Sequence, residues 1–288
     1  MERTLISFDW ALKRLLRQKA NFSILEGFLS VLLKRDIIIL NLLESESNSD
    51  EYDQKINRVD MLVENEGRER LIIELQYSKE FDFLQRMLFA TSKHLTETLQ
   101  KGSPYQDIKK IYSVNLIYFD LGYGTDYVYH GKTEFVGIHQ NDILKLSVKQ
   151  KELFLKETVF EIFPEYYVLK INNFDDVARD GLDEWIYYFK NGKIKDEFNA
   201  RGLAEVRSKL IFDDLNDKER DAYRQYEKDL LSQKSTILTA RIEGKAEGLA
   251  EGEYQAKLET ALKMKNDGLP SELIIKYTEL SLDIIHEL

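Results

Sequence analysis

Three polar side chains interrupt an otherwise apolar stretch of this 288-residue chain: Asp60 in RVDMLV, and Glu74 and Gln76 in RLIIELQ. In an extended strand successive side chains alternate faces. Val59, Met61 and Val63 then oppose Arg58, Asp60 and Leu62, while Leu71, Ile73 and Leu75 oppose Ile72, Glu74 and Gln76. If the two apolar sets line the same core, that match sets the hairpin register. A three- or five-residue loop centred on Gly67 places Asp60 across from Glu74 and Arg58 across from Gln76. A two-residue turn at Glu66-Gly67 would set Asp60 against Ile73, on the wrong face. The apolar pattern favours the longer loop.

Two carboxylates facing each other on neighbouring strands repel unless something offsets them. Mg²⁺ does so with oxygen ligands, commonly one or two carboxylates completed by water and substrate phosphate. Such an ion acidifies its bound water and shields charge at phosphorus. Gln76 is placed to hydrogen-bond an attacking water or a phosphate oxygen. Arg86 and Lys93 lie seven apart on one face of the helix that follows, and with Arg58 they are the candidate phosphate contacts. The pattern also fits a plain polar face on an amphipathic hairpin, or structural ion pairs of Asp60 and Glu74 with Arg58.

The elements that must position these groups are legible from periodicity. Residues 8–19 and 22–34 carry helical apolar spacing on either side of the turn-like Asn21. DIIILNLL (36–43) is a strand, and ESESNSDEYD (44–53) has the composition of an exposed loop. Residues 55–64 and 69–77 form the hairpin, and 80–101 a helix stopped by Gly102 and Pro104. A strand covers 111–122. A second hairpin is expected over 126–138, turning at His130-Gly131.

Composition narrows the function classes. The chain has 43% hydrophobic and 32% charged residues and no apolar run of the ~20 residues a membrane span needs. Charges through MERTLISFDWALKRLLRQK leave no apolar core for a signal peptide. Zero Cys excludes disulfides and thiolate metal sites and suits a cytoplasmic setting. The four His show no ligand spacing. The net charge of −10 is uneven: residues 1–150 hold 20 basic and 22 acidic side chains, residues 151–288 hold 21 and 29. The first half can therefore still present a basic face to nucleic acid.

After about residue 145 the chain turns helical, aromatic and acidic. Residues 217–266 form one or two long helices in which RIEGKAEGLAEGEYQAK repeats Glu-Gly every four residues. Each Gly costs roughly 1 kcal/mol against Ala in a helix. Gly244, Gly248 and Gly252 share one face, which fits a solvated low-complexity helix or a self-association surface. The last residues outline a helix-turn-helix, but the final helix (282–288) has no Lys or Arg to meet phosphate. Packing is the better reading of that tail.

FDWALKRLL, NFSILEGFLSVLL, RVDMLVEN with RLIIELQ, and FDFLQRMLFATSKHLTETLQKGSPYQDIKKIYSVNLIYF occur in that order. Together they resemble the Rpn (recombination-promoting nuclease) and transposase-like branch of the PD-(D/E)xK nuclease superfamily over roughly residues 7–140. The Glu-Gly helix and short helical tail resemble that family's C-terminal region. The resemblance implies an α/β restriction-endonuclease-like fold: a helix, a three-stranded meander, a crossover helix and a fourth strand. It implies Mg²⁺-dependent hydrolysis of a DNA phosphodiester, with Mn²⁺ able to substitute. Asp60 and Glu74 become metal ligands, and the backbone carbonyl of Leu75 a third. Gln76 stands where the wider superfamily has Lys, so catalysis leans more heavily on the metal. Glu26 and Asp9 occupy places where relatives carry further acids; Glu26 equally fits a solvated helix position, and Asp9 fits ion pairing beside the site.

The expected organisation is a nuclease-like domain over 1–145, a mixed or helical extension packed on it over 146–216, and a long helix with helical tail over 217–288. The expected function is a metal-dependent DNA endonuclease linked to recombination, mobile elements or defence against foreign DNA. It would act as a homo-oligomer joined through the C-terminal helices. The rival is a nuclease-fold module without catalysis, serving as a DNA-binding or protein-interaction scaffold.

Overall fold

A computed structural model describes residues 5–43, 60–97 and 104–288. Arg58, the acidic loop over 44–53 and the helix end at Gly102 lie outside them. The chain forms two compact units, Met1–Asn216 and Asp217–Leu288.

The first unit is built on a mixed sheet of strands β1 (Ile39–Leu42), β2 (Met61–Asn65), β3 (Arg70–Gln76), β4 (Ile111–Ile117), β5 (Val128–Gly131) and β6 (Glu165–Lys170), in the order β1-β2-β3-β4-β6-β5. The first three strands are an antiparallel meander. A helix later in the chain, α3 (Phe83–Thr96), carries it across the sheet so that β4 runs parallel to β3. Ahead of the meander come α1 (Phe8–Arg14) and α2 (Phe22–Leu33). This is the mixed sheet with flanking helices expected for the nuclease-like fold.

The hairpin register is the one the apolar pattern predicts. Met61 pairs with Ile73, Leu62 with Ile72, Val63 with Leu71 and Glu64 with Arg70. Asn65 and Glu69 close a three-residue loop over 66–68, with Asn65 N donating to Glu69 O at 3.1 Å. Arg68, rather than Gly67, takes the left-handed conformation the loop needs (φ 58°). Both faces of the hairpin are buried, as central strands beside a parallel pair must be. Leu62 and Ile72 pack with Ile111 and Leu95 beneath α3. Met61, Val63, Leu71, Ile73 and Leu75 are buried on the opposite face.

One expectation is corrected. His130-Gly131 is no turn: both residues lie within β5, which pairs antiparallel with β6 (His130 with Tyr167, Gly131 with Tyr166). The His130 ring stacks on Tyr167 with centroids 4.4 Å apart, and its Nε2 meets Glu165 Oε2 at 2.7 Å. A long-range strand partner thus decides this segment. Residues 146–216 lie in the first compact unit. β6 extends the sheet beside β4, and α5 (Gly181–Asn191) and α6 (Leu203–Lys209) close the same core. Phe8, Phe28, Trp185, Tyr188 and Phe189 interlock there, with Phe28 and Phe189 edge to face at 5.0 Å. Aromatic packing of this kind ties residues 181–189 to α1 and α2. A short α4 (Val148–Phe154) lies between β5 and β6.

The second unit is α7 (Asp217–Asn266), α8 (Ser271–Thr278) and α9 (Leu282–Glu287). Ala261, Ile274, Leu280 and Ile285 form its small core. The tail therefore folds back on the end of α7. No described helix is long and apolar enough to cross a membrane.

Candidate active site

The polar cluster lies at the end of β3, between α1 on one side and α3 on the other. Asp60 immediately precedes β2, and the register carried one residue further sets it opposite Glu74. The two are joined through the main chain. Asp60 N donates to Glu74 Oε2 at 3.2 Å, and Leu75 N donates to Asp60 Oδ2 at 2.7 Å. Gln76 O accepts from Tyr118 N, on the β4 side. Backbone groups alternate direction along a strand, so Leu75 presents its N–H and carbonyl to the opposite, Asp60-bearing edge.

On the α3 side, Arg86 bridges two carboxylates. Its Nη2 binds Glu74 Oε1, and its Nη1 lies 3.0 Å from both oxygens of Glu80. Glu80 also accepts from Gln76 Nε2 at 2.7 Å, and the same amide nitrogen reaches Ser78 O at 3.2 Å. Gln76 therefore has its donor committed and offers its amide oxygen as the group that can accept from water. On the α1 side, Lys13 Nζ lies 2.8 Å from Asp9 Oδ1 and 3.9 Å from Asp60 Oδ1, and Arg17 donates to the Asp60 carbonyl at 2.8 Å. Asp9 is buried, whereas the Lys13 side chain is 45% exposed.

Electrostatics follow from this arrangement. Burial, and then the neighbouring Asp60, push the Glu74 carboxyl up to about 7, although Arg86 pulls the other way. Burial also raises Asp60, with Lys13 and the Leu75 amide opposing it. Burial alone would lower the Lys13 ammonium, but its bond to Asp9 and the field of Asp60 and Glu74 hold it above the ordinary lysine value. Four carboxylates (Asp9, Asp60, Glu74, Glu80) face three cations (Lys13, Arg17, Arg86). An excess of negative charge in a poorly solvated place is what a bound cation relieves.

The residues fit a hard divalent ion. Asp60 and Glu74 are adjacent, mostly buried oxygen donors, with the Leu75 carbonyl directed to the same edge. Among the described residues no group of three or more His, Asp or Glu converges as an all-protein metal cage. Mg²⁺ instead favours one or two carboxylates completed by water and phosphate.

The remaining candidates divide clearly. Asp9 joins the cluster by ion pairing with Lys13. Glu26 turns to the other end of the meander, where its Oε1 accepts from Ile39 N at 2.8 Å; no hydrogen bond or ion pair among the described residues links it to Asp60 or Glu74. Lys93 lies two turns beyond Arg86 on α3, half-buried. Arg58 is outside the described residues. Sequence reasoning missed Lys13, Arg17 and Glu80. The i,i+4 spacing of Asp9 and Lys13 was the one available signal, since it places them on one helix face.

A family model described as PD-(D/E)XK nuclease family transposase matches residues 6–240. No curated protein and no solved structure shows a significant match to the chain.

Proposed function

The chain belongs to the PD-(D/E)XK nuclease family transposases, and on that premise we propose that it is a Mg²⁺-dependent DNA endonuclease hydrolysing phosphodiester bonds. The observation that carries this reading is the Asp60–Glu74 pair, two mostly buried carboxylates, one just ahead of β2 and one in β3, with the Leu75 amide fixing the first of them. Asp60, Glu74 and the Leu75 carbonyl would hold the ion, with Mn²⁺ as a substitute. When bound, the ion supplies charge neutralisation at phosphorus and a more acidic water. Gln76, its amide nitrogen held by Glu80, accepts a hydrogen bond from the attacking water and orients it. Arg86 holds Glu74 in place and, with Lys93, lines the approach of the DNA backbone. The biological setting that fits a transposase-type nuclease is recombination, mobile-element movement or defence against foreign DNA, in the cytoplasm.

The test is plasmid nicking in Mg²⁺ by wild type, Asp60→Ala and Glu74→Ala. Loss of nicking in both variants with the fold retained is expected. Equal cleavage by all three proteins would sink the assignment.

A second reading has its own observation: Gln76 brings no charge, and Arg86 already occupies one oxygen of Glu74. A scaffold of the same fold that binds DNA or protein without cutting would look like this. Calorimetry separates the two, because a scaffold shows no binding of Mg²⁺ or Mn²⁺.

We further infer that the protein self-associates through α7. A Cβ built on Gly244, Gly248 or Gly252 meets nothing within 4 Å, so the face is open to a second copy. Light scattering should give a multiple of the 33.9 kDa chain mass for the wild type and a smaller particle when all three are changed to Leu. One mass for both proteins would dismiss this surface.

A further inference from the structure

Hydrolysis of a phosphodiester builds negative charge on the phosphoryl oxygens, and a positive group aimed at that charge is worth most in a poorly solvated site. Three cations surround the carboxylate pair, and they differ in what already holds them. Arg86 is forked between Glu74 and Glu80. Arg17 is turned to the Asp60 carbonyl. Lys13 makes one short contact, with Asp9 at 2.8 Å, and lies 3.9 Å from Asp60 Oδ1.

We propose that Lys13 contacts the phosphate undergoing cleavage, supplying from α1 the positive charge that the neutral Gln76 does not. The proposal deepens the nuclease reading and rests on it. An ammonium has three N–H donors. One holds Asp9, whose carboxylate is buried and so fixes the lysine stem, and two remain for phosphate oxygens beside Asp60. The half-exposed position of Lys13 gives an incoming anion access. Asp60 does not hold the ammonium in a hydrogen bond, since Oδ1 is too far and Oδ2 is taken by the Leu75 amide. Asp9 acts through Lys13 and is a positioning residue.

The absence of cysteine from the chain permits a chemical test. In Lys13→Cys the new thiolate is the one nucleophilic sulfur that 2-bromoethylamine can alkylate, which restores an ammonium at nearly the lysine distance. Single-turnover cleavage of a DNA duplex in Mg²⁺ is compared for wild type, Lys13→Cys, the alkylated variant and Lys13→Gln, with Mg²⁺ affinity measured alongside. Lys13→Gln keeps an N–H donor for Asp9 on a side chain one bond shorter and removes the charge, so the comparison survives if Lys13→Cys folds poorly.

The expected result is a loss of about 10²-fold in the cleavage step for both variants. Mg²⁺ affinity should stay within a few-fold of wild type, and alkylation should recover at least tenfold. Wild-type rates in Lys13→Gln would overturn the proposal. So would failure of alkylation to restore a folded, metal-binding Lys13→Cys protein, or loss of metal binding in both variants. Asp60→Ala keeps the two readings apart: if it abolishes cleavage while Lys13→Gln does not, the nuclease reading stands and this one falls. If wild type itself leaves DNA intact, both fall.

Discussion

Asp60 and Glu74 are locked to each other through the main chain, with the amide of Asp60 on Glu74 Oε2 at 3.2 Å and the amide after Glu74, that of Leu75, on Asp60 Oδ2 at 2.7 Å. The reciprocal bonds hold two carboxylates together that would otherwise separate. The register of the whole hairpin, from Glu64 and Arg70 at the loop to Met61 and Ile73, delivers them to this point. On the proposed nuclease reading a bound ion would offset the repulsion that this arrangement retains, a trade of stability for function.

Replacing one charge should therefore stabilise the metal-free protein while destroying the site. Asn at position 60 can still accept from the Leu75 amide, so Asp60→Asn removes repulsion with little loss of geometry. In EDTA at pH 8 its thermal midpoint should rise, by on the order of 1 kcal/mol of stability, or ~2–4 °C for a chain of this size. DNA cleavage in Mg²⁺ should be lost. A midpoint that drops in EDTA would show that the Asp60 charge is satisfied by Lys13 and the Leu75 amide without a metal.

Glu74 predicts the pH dependence of that stability. Its folded carboxyl is raised to about 7 from an ordinary value of 4.5. Between those values the folded protein keeps a proton that the unfolded chain has released, so the contribution of Glu74 to stability falls as pH rises through this window and is flat above it. Asp60, also raised, acts in the same direction. Thermal melts in EDTA from pH 4.5 to 8 should show wild type losing ground to Glu74→Gln across the window. Mg²⁺ at pH 8 should return the wild type alone. Parallel curves for the two proteins would remove Glu74 as the titrating group.

Glu80 governs two neighbours at once, accepting from Gln76 at 2.7 Å and from Arg86 at 3.0 Å. Glu80→Ala frees the amide that orients water and loosens the guanidinium that holds Glu74. Groups that support metal ligands in this way typically matter by about 10–100-fold. Cleavage should fall by that factor with a smaller loss in Glu80→Gln, which keeps an acceptor for the guanidinium. Single-turnover rates for the two variants check it; unchanged rates in Glu80→Ala would leave Glu80 a surface ion pair.

The centre of the fold and the carboxylate pair were legible because local rules decide them. Alternation in Met61, Val63, Leu71 and Ile73 admits one register for a loop centred on Gly67, and that register brings Asp60 to Glu74. Long-range packing decided what was missed. His130-Gly131 resembles a turn locally, yet Glu165 and Tyr167, some 35 residues later, bind it into an edge strand. Lys13 is visible as an i,i+4 partner of Asp9, but its approach to Asp60 depends on how α1 meets the sheet. Which rings of residues 181–189 meet Phe8 and Phe28 was hidden for the same reason, since such aromatic contacts leave no mark in spacing.

That shared core makes one sharp demand on the backbone. A Cβ at Gly27 in α2 would lie 2.5 Å from Gly202 Cα and 2.6 Å from Arg201 O, both main-chain atoms just ahead of α6. Gly202 cannot yield easily, since it holds φ +91° and a Cβ there would meet Gly27 Cα and the Trp185 ring at 2.9 Å. Gly27→Ala must therefore push α6 and the Trp185 cluster off α2, at about 1–3 kcal/mol or more. In a helix free of such contact the same change would gain roughly 1 kcal/mol, so the sign itself is diagnostic. Urea unfolding of the full chain should show a lower midpoint for Gly27→Ala than for wild type. Gly248→Ala, where a Cβ meets nothing within 4 Å, should leave the first unit's transition unchanged. A Gly27→Ala midpoint at or above wild type would show that residues 181–209 do not pack on α2 as closely as this core requires.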